Sequence, residues 1–129
     1  MGPSPARDGH AIGSAGPTTA TRMDKYAPTL LDLGQKAMIG KGGRSEDVIS
    51  SMVKNKAVYF AAVGGAGALY SNAVTSCEVI AFDELGCESV KCLNIKENQP
   101  LLITAPIECI KDFPVTVAID SKGKSLFER

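Results

Sequence analysis

The stretch that decides the fold is AVYFAAV, residues 57–63, followed directly by GGAGALYSNAV, residues 64–74. The first seven residues are continuously apolar and β-prone, which is typical of a buried strand. The glycines that follow permit a tight turn, and the remainder predicts a short helix. This unit of strand, turn and helix indicates an α/β domain.

The preceding segments continue the alternation. Residues 18–34 predict a helix that ends at Gly34, but Pro28 suits only a first turn, so the helix is expected to begin later than Thr18. KAMIG, residues 36–40, predicts a strand. SEDVISSMVKN, residues 45–55, predicts an amphipathic helix with its first serine as a possible cap.

Three further strands are predicted downstream, at CEVIAF (residues 77–82), PLLITAPI (100–107) and FPVTVAID (113–120). A turn or helix separates the first two, and a polar turn, SKGK, follows the last. The alternation of strands and helices predicts a layered α/β domain with several parallel crossovers.

Size and composition exclude several classes of protein. The 129 residues fit one domain, residues 1–129, with a loop or extended arm at 1–17. Fourteen basic residues balance fourteen acidic ones, which argues against a nucleic-acid or membrane-surface binder. No apolar run is long enough to span a bilayer, and the N-terminus lacks the apolar core of a secretory signal.

The four cysteines do not form a metal-binding pattern. Cys77, Cys87, Cys92 and Cys109 contain no C-x-x-C pair, and His10 is the sole histidine. We therefore expect no metal ligands in this chain. Small, buried or half-exposed thiols in a reducing compartment are expected, rather than disulfides.

Three glycine-rich turns lie where helices could begin, at residues 16–19, 40–43 and 64–67. Free backbone N–H groups and the positive end of a helix make such turns natural anion sites. Two of the turns also carry a cation. Arg22 follows the first by one helical turn, and Lys41 lies within the second. Arginine can bind a carboxylate with two parallel hydrogen bonds.

Simpler interpretations of these residues stay open on local chemistry alone. Thr18 or Thr19 could be an ordinary helix cap, and Arg22 a solvated surface charge. GKGG does not match the phosphate loop, and GGAGAL more often brings a helix close to a strand than it holds a ligand. Neither a Ser-His-Asp arrangement nor a recognisable carboxylate pair is present.

Five blocks together resemble the C-terminal (β) region of class I fumarate hydratases, the iron–sulfur hydro-lyase family that includes tartrate dehydratase. In order, the blocks are GPTTATRMDKY (16–26), AMIGKGG (37–43), KNKAVYFAAVGGAGALYSNAV (54–74), VIAFDELGCESV (79–90) and DFPVTVAIDSKG (112–123). The forms TATRMDKY and AVGGAGALYS resemble fumarases more than tartrate dehydratases.

The resemblance implies reversible hydration of fumarate to (S)-malate, a step of the tricarboxylic acid cycle. It implies a swivelling β/β/α domain with a mixed sheet and flanking helices. This domain would close over a [4Fe-4S] cluster that the α partner carries and this chain does not ligate. We therefore expect an iron–sulfur enzyme component that is inactive without its α region and forms a hetero- or homo-oligomer. It would lie in the cytoplasm or the mitochondrion.

The resemblance also implies roles for individual residues. By motif position Thr18 is the proton-transfer residue, with Thr19 as the fallback, and it would work beside an aspartate of the α region. Arg22 and Lys41 correspond to the arginine and lysine that bind substrate carboxylates. Two cations suit a dicarboxylate, which has two anionic ends.

Two departures from the family pattern qualify this prediction. The resemblance places the start of this sequence after the family's RD-x-x-H-x-R segment, so we expect an N-terminal truncation relative to the family and assign Arg7 and His10 no catalytic role. Residues 94–110 have no obvious family counterpart. They are interpreted either as an insertion, which could form an extra hairpin, or as the product of an altered gene structure. Three alternatives therefore remain: a non-catalytic binding or assembly module, a tartrate dehydratase β subunit, and an independent small-anion or nucleotide binder.

Overall fold

The computed structural model describes residues 2–96 and 115–127. Its described residues divide into two compact units. One contains residues 2–17 and 64–96, and the other contains residues 18–63 and 115–127. The strand predicted at residues 100–107, most of the 94–110 insertion and Cys109 lie outside the described residues.

The second unit contains a three-stranded mixed sheet. Strand β1 (Ala37–Gly40) pairs in parallel with β2 (Val58–Ala62), and β5 (Val115–Ile119) pairs antiparallel with the other side of β2. The mixed α/β class is thereby confirmed. The expectation of several parallel crossovers is wrong for the part of the chain described, where β1 and β2 form the one parallel pair.

Two helices of this unit follow the sequence rules for helix ends. Helix α1 (Ala27–Asp32) has Pro28 in its first turn, where no intrahelical N–H is needed. Helix α2 (Glu46–Asn55) connects β1 to β2. Its first turn is acidic, and it ends at Lys56, which adopts a left-handed conformation with a φ of 53°.

One core holds the helices against the sheet. The side chains of α1 and α2 that point inward meet those of the strands in a single buried cluster. Its largest fully buried members are Leu31, Val48, Met52, Tyr59 and Ile119. Since burial of each large apolar side chain contributes about 1.5–3 kcal/mol, this cluster dominates the stability of the unit.

The first unit contains helix α3 (Gly67–Ala73) and an antiparallel hairpin of β3 (Val74–Ala81) and β4 (Val90–Ile95). Two short 3-10 turns within Asp83–Glu88, separated by a kink at Gly86, join the two strands. The segment DELGCESVKCL was predicted as turn or helix. Its first half is helical, and its last residues belong to β4.

The N-terminal segment packs within the first unit. Among residues 2–17 no helix or strand is formed, yet Ile12 and Ala15 are buried with Val74 of β3. The backbone N–H of Ala15 donates to the carbonyl oxygen of Gly67 at 3.1 Å, which ties the segment to α3. The prediction of an arm at residues 1–17 gave no hint of this packing.

The described cysteines are free thiols. Cys77 is half-buried, while Cys87 and Cys92 are exposed and so differ from the expectation of buried or half-exposed thiols. Within residues 2–96 and 115–127, the helices are all too short or too polar to cross a bilayer.

Candidate functional site

Backbone hydrogen bonds bring two of the glycine-rich turns together in the second unit. The N–H of Lys41 donates to the carbonyl oxygen of Thr18 at 3.0 Å, and the N–H of Ala20 donates to the carbonyl oxygen of Lys41 at 2.9 Å. Thr19 and Lys41 thus form an isolated parallel bridge beyond the end of β1. Residues more than twenty positions apart in sequence become direct neighbours.

Arg22 lies on a 3-10 helix, Ala20–Met23, that starts directly after Thr19. The N–H of Arg22 donates to the carbonyl oxygen of Thr19 at 3.3 Å. Thr19 occupies the cap position, but its hydroxyl forms no capping hydrogen bond. The interpretation of Thr19 as a helix cap that acts through its hydroxyl is therefore wrong.

The side chains that carry the predicted chemistry are exposed and uncommitted. Thr18, Thr19, Arg22 and Lys41 all lie at the surface. Among the described residues, neither cation forms an ion pair, and neither threonine hydroxyl has a hydrogen-bond partner. No hydrogen bond joins these four side chains to one another, and the hydrogen bonds that connect their segments are between backbone groups.

Two glycines beside Lys41 permit the backbone conformation and the close packing of this turn. A Cβ added to Gly40 would lie 3.0 Å from the Cβ of Ala20 and 3.3 Å from the hydroxyl of Tyr59, so a side chain there would push the two segments apart. Gly42 has a φ of 83°, in the region that favours glycine. The turn can therefore lie directly on the segment that carries the threonines.

A buried ion pair lies beneath this surface. Nε of Arg44 is 2.8 Å from Oδ1 of Asp24, and their side chains are 4% and 13% exposed. The N–H does not point at that oxygen, so the contact is an electrostatic attraction rather than a hydrogen bond. The other carboxylate oxygen, Oδ2, accepts a hydrogen bond from the N–H of Ser45 at 2.7 Å.

Tyr59 contacts both the Lys41 turn and Arg44. Its hydroxyl donates to the carbonyl oxygen of Gly42 at 2.8 Å, and the guanidinium carbon of Arg44 lies 5.4 Å from the centre of its ring. Burial raises the pKa of the Tyr59 hydroxyl. The positive charge of Arg44 works against this rise, and the negative charge of Asp24 adds to it. The phenol therefore stays protonated and able to donate.

Sequence reasoning did not find Asp24, Arg44 or Tyr59. Their connection depends on the pairing of β1 with β2 and of Lys41 with Thr18, which no local pattern reveals. One signal was present: opposite charges lie close to the two cations of the site, Asp24 two residues after Arg22 and Arg44 three residues after Lys41.

The described residues do not fit an iron–sulfur cluster. Within residues 2–96 and 115–127, no three His, Cys, Asp or Glu side chains gather into a group that could hold a metal ion. The three described thiols belong to the first unit, whereas Thr18, Arg22 and Lys41 belong to the second. The described residues therefore do not supply a ligand set for a cluster.

The fold is of the mixed α/β class, and the candidate site combines two exposed cations with two exposed threonines, groups that are able to bind an anion. The family model for the fumarase C-terminus matches residues 1–129. The chain belongs to this family and corresponds to the C-terminal region of class I fumarate hydratases, which confirms the resemblance.

Individual relatives agree with this assignment. Aerobic class I fumarate hydratase of Escherichia coli (strain K12) is 32% identical over 130 residues, covering 99% of this chain and 21% of that protein. Fumarate hydratase 2 of Leishmania major is 30% identical over 99% of this chain and 20% of its own length. The chain thus spans about a fifth of these fumarate hydratases.

A second type of relative also matches. The putative L(+)-tartrate dehydratase subunit beta of Methanocaldococcus jannaschii is 34% identical over 118 residues, which is 89% of this chain and 53% of that protein. Both kinds of named relative are dehydratases or hydratases, so the chain belongs to a hydro-lyase family.

Proposed function

We propose that this chain is the β part of a class I fumarate hydratase. It would bind the carboxylates of fumarate and (S)-malate and supply a hydroxyl for proton transfer. One observation carries this proposal: backbone hydrogen bonds join Lys41 to residues 18–20, so that two exposed threonines and two exposed cations belong to adjoining segments. The family of the chain then favours a dicarboxylate as the anion.

Each of these residues has a chemical role in the proposal. Arg22 would bind one carboxylate in a fork, and Lys41 would place a point charge at the other. Thr18 would hold or move the proton at its hydroxyl, with Thr19 as the fallback. A threonine is a poor base in water, so Thr18 would need a neighbouring carboxylate from the partner.

The remaining parts of the site would come from an α partner. We propose that this partner carries the [4Fe-4S] cluster, which would supply a Lewis acid for the hydroxyl group of malate. The chain spans about a fifth of the related fumarate hydratases, which leaves most of their length to account for. The same proposal includes three further features. The chain would close over the partner by a swivelling motion, the complex would form an oligomer, and it would lie in the cytoplasm or the mitochondrion.

Reconstitution tests the proposal. The chain is mixed anaerobically with a cluster-loaded α region of a class I fumarase, and fumarate is followed by its ultraviolet absorbance. We expect hydration well above that of the α region alone. Thr18→Val should lower kcat by about 10²–10⁴-fold, while Thr19→Val should have the smaller effect. Absence of added hydration would overturn the proposal, and a larger loss with Thr19→Val would refute the role of Thr18.

A tartrate dehydratase β subunit is the second candidate, because the Methanocaldococcus jannaschii relative carries that name and matches 89% of this chain. The same reconstitution with L(+)-tartrate as substrate separates the two. A higher kcat/KM for tartrate than for malate would favour the second candidate. If calorimetry shows that the chain binds the α partner, and fumarate and malate do not change that binding, the chain would instead be a non-catalytic assembly module.

A further inference from the structure

We propose that Asp24 and Arg44 are positioning residues that form a strut between the two segments of the candidate site. This inference rests on the proposed function, since it assigns the strut the task of holding Arg22 and Lys41 ready for a dicarboxylate. The strut is defined as the Asp24–Arg44 ion pair together with the Tyr59 ring on which Arg44 lies.

The strut joins the same two segments that the backbone joins, at a second point. Asp24 ends the 3-10 helix of Arg22, where its N–H donates to the carbonyl oxygen of Thr21 at 3.2 Å. Arg44 closes the turn that begins with Lys41. The backbone bonds hold the two segments together at Lys41, and the ion pair holds them together again at Arg44, which further limits the rotation of one segment against the other.

The chemistry of the pair argues for positioning rather than for stability. Nη2 of Arg44 is buried with no hydrogen-bond partner among the described residues. Removing two charges from water costs free energy, and their attraction repays it only when hydrogen bonding is complete. An apolar pair of similar volume would therefore stabilise the core at least as well. The presence of two charges here is thus better explained by a role other than stability.

Charge neutralisation gives that reason. Asp24 lies only two residues from Arg22, and a free carboxylate there would compete with the ligand for the site cations. Arg44 forms an ion pair with this carboxylate, and the backbone N–H of Ser45 donates a hydrogen bond to its Oδ2. Arg22 and Lys41 then remain without an ion-pair partner in the described part of the chain.

The experiment uses the full chain and two readouts. Amide hydrogen exchange by NMR reports the bonds donated by Ala20 and Lys41, and calorimetry with fumarate and with (S)-malate reports ligand affinity. The variants are Arg44→Met, Arg44→Lys, Asp24→Asn and the double variant Asp24→Asn/Arg44→Met. The matched control is Lys54→Met, which breaks the exposed ion pair between Lys54 and Asp32 in the same unit.

We expect Arg44→Met to speed exchange at Ala20 and Lys41 by about tenfold or more relative to the amides of β2, and to weaken dicarboxylate binding about tenfold. Arg44→Lys should recover part of the affinity. The double variant should bind better than Arg44→Met, because the freed carboxylate is gone. Since it leaves no unpaired buried charge, it also keeps the test decisive if Arg44→Met fails to fold. Lys54→Met should change neither readout.

Two results would overturn the strut: unchanged exchange at Ala20 and Lys41 in Arg44→Met and in the double variant, or faster exchange spread evenly over the β1–β2 ladder. A double variant that binds no better than Arg44→Met would refute charge neutralisation. If the unaltered chain shows no dicarboxylate binding, the proposed ligand is wrong, and the exchange rates still decide whether the strut exists.

Discussion

The carbonyl oxygen of Thr18 accepts a hydrogen bond from the backbone N–H of Lys41 at 3.0 Å, and this contact makes neighbours of two residues from separate motifs. The bond lies beyond the last residue of β1, so it extends the sheet into the candidate site. A site built on the end of a strand inherits the rigidity of the sheet, which loops alone do not provide.

The two site cations should carry most of the affinity for a dicarboxylate. Lys41→Met and Arg22→Met each remove one charge and keep most of the side-chain stem. We expect each to raise the dissociation constant for succinate about tenfold or more in calorimetry, the range of one charged hydrogen bond. Lys25→Met is the control, since this exposed lysine lies over the Tyr26 ring. Equal losses in all three variants would indicate a non-specific charge effect and contradict the assignment.

Gly40 should resist substitution because of close packing. In Gly40→Ala the new Cβ would meet the Cβ of Ala20 at 3.0 Å and the Tyr59 hydroxyl at 3.3 Å. We expect a loss of about 1–3 kcal/mol in the free energy of unfolding, measured with urea. Gly43→Ala is the matched control, because its Cβ would meet only Phe127 at an ordinary 3.8 Å. A Gly40 variant as stable as the Gly43 variant would show that the two segments separate without cost.

Local patterns predicted the elements of the fold better than their pairing. The apolar run of β2 and the placement of Pro28 in a first turn could be read directly, because burial and backbone geometry act locally. The antiparallel pairing of β5 with β2 could not, since it joins segments more than fifty residues apart and depends on the whole core.

The same division applies to the candidate site. The family motifs predicted Thr18 and Lys41, and the structure makes them neighbours. Their roles in binding and proton transfer stay predictions. The Asp24–Arg44 pair could not be predicted, because the position of a charge in the sequence does not show whether its side chain is buried.

The stability of the second unit should be sensitive to the packing of Leu31 on α1. Leu31 is fully buried, whereas Leu33 on the same helix's end is 79% exposed. We expect Leu31→Ala to cost about 2–5 kcal/mol of unfolding free energy, since it removes apolar contacts and leaves a cavity. Leu33→Ala should change stability by less than about 0.5 kcal/mol. Urea denaturation of both variants makes the comparison. Similar losses of unfolding free energy in the two variants would contradict the exposed position of Leu33.

Acid should destabilise the turn that follows β5. The carboxylate of Asp120 accepts the N–H groups of Lys122 at 2.8 Å and Lys124 at 3.0 Å. Chiefly the bond from Lys122 holds the pKa of Asp120 below its ordinary value. Because the folded pKa is the lower one, the stabilisation is present above the unfolded pKa and is lost as the pH falls through the folded pKa.

Thermal unfolding between about pH 5 and pH 2 measures this loss. Asp120→Asn keeps an acceptor oxygen that does not titrate, so we expect a shallower decline of the melting temperature with acid. An equally steep decline in the variant would mean that other carboxylates account for the acid sensitivity. Asp32 is the next one to test, because hydrogen bonds from Asn55 and Lys54 also lower its pKa.

Tyr59 should make the stability of the second unit sensitive to alkaline pH. Its hydroxyl is buried and donates to Gly42, and burial raises its pKa. With a folded pKa above the unfolded value of about 10, its contribution is complete below that value and is lost as the pH rises through the folded pKa. Tyr59→Phe removes the titrating group and should cost about 0.5–1.5 kcal/mol at neutral pH.

Above about pH 10 the difference between Tyr59→Phe and the unaltered chain should therefore shrink, because the unaltered chain must ionise a buried phenol or unfold. Tyr26→Phe is the control, since this ring is 53% exposed and its removal should leave the pH profile unchanged. Urea midpoints from pH 7 to pH 11 decide the matter. A difference between Tyr59→Phe and the unaltered chain that stays constant over this range would show that the phenol does not titrate with unfolding. The bond to Gly42 would then support the Lys41 turn without any coupling to alkaline pH.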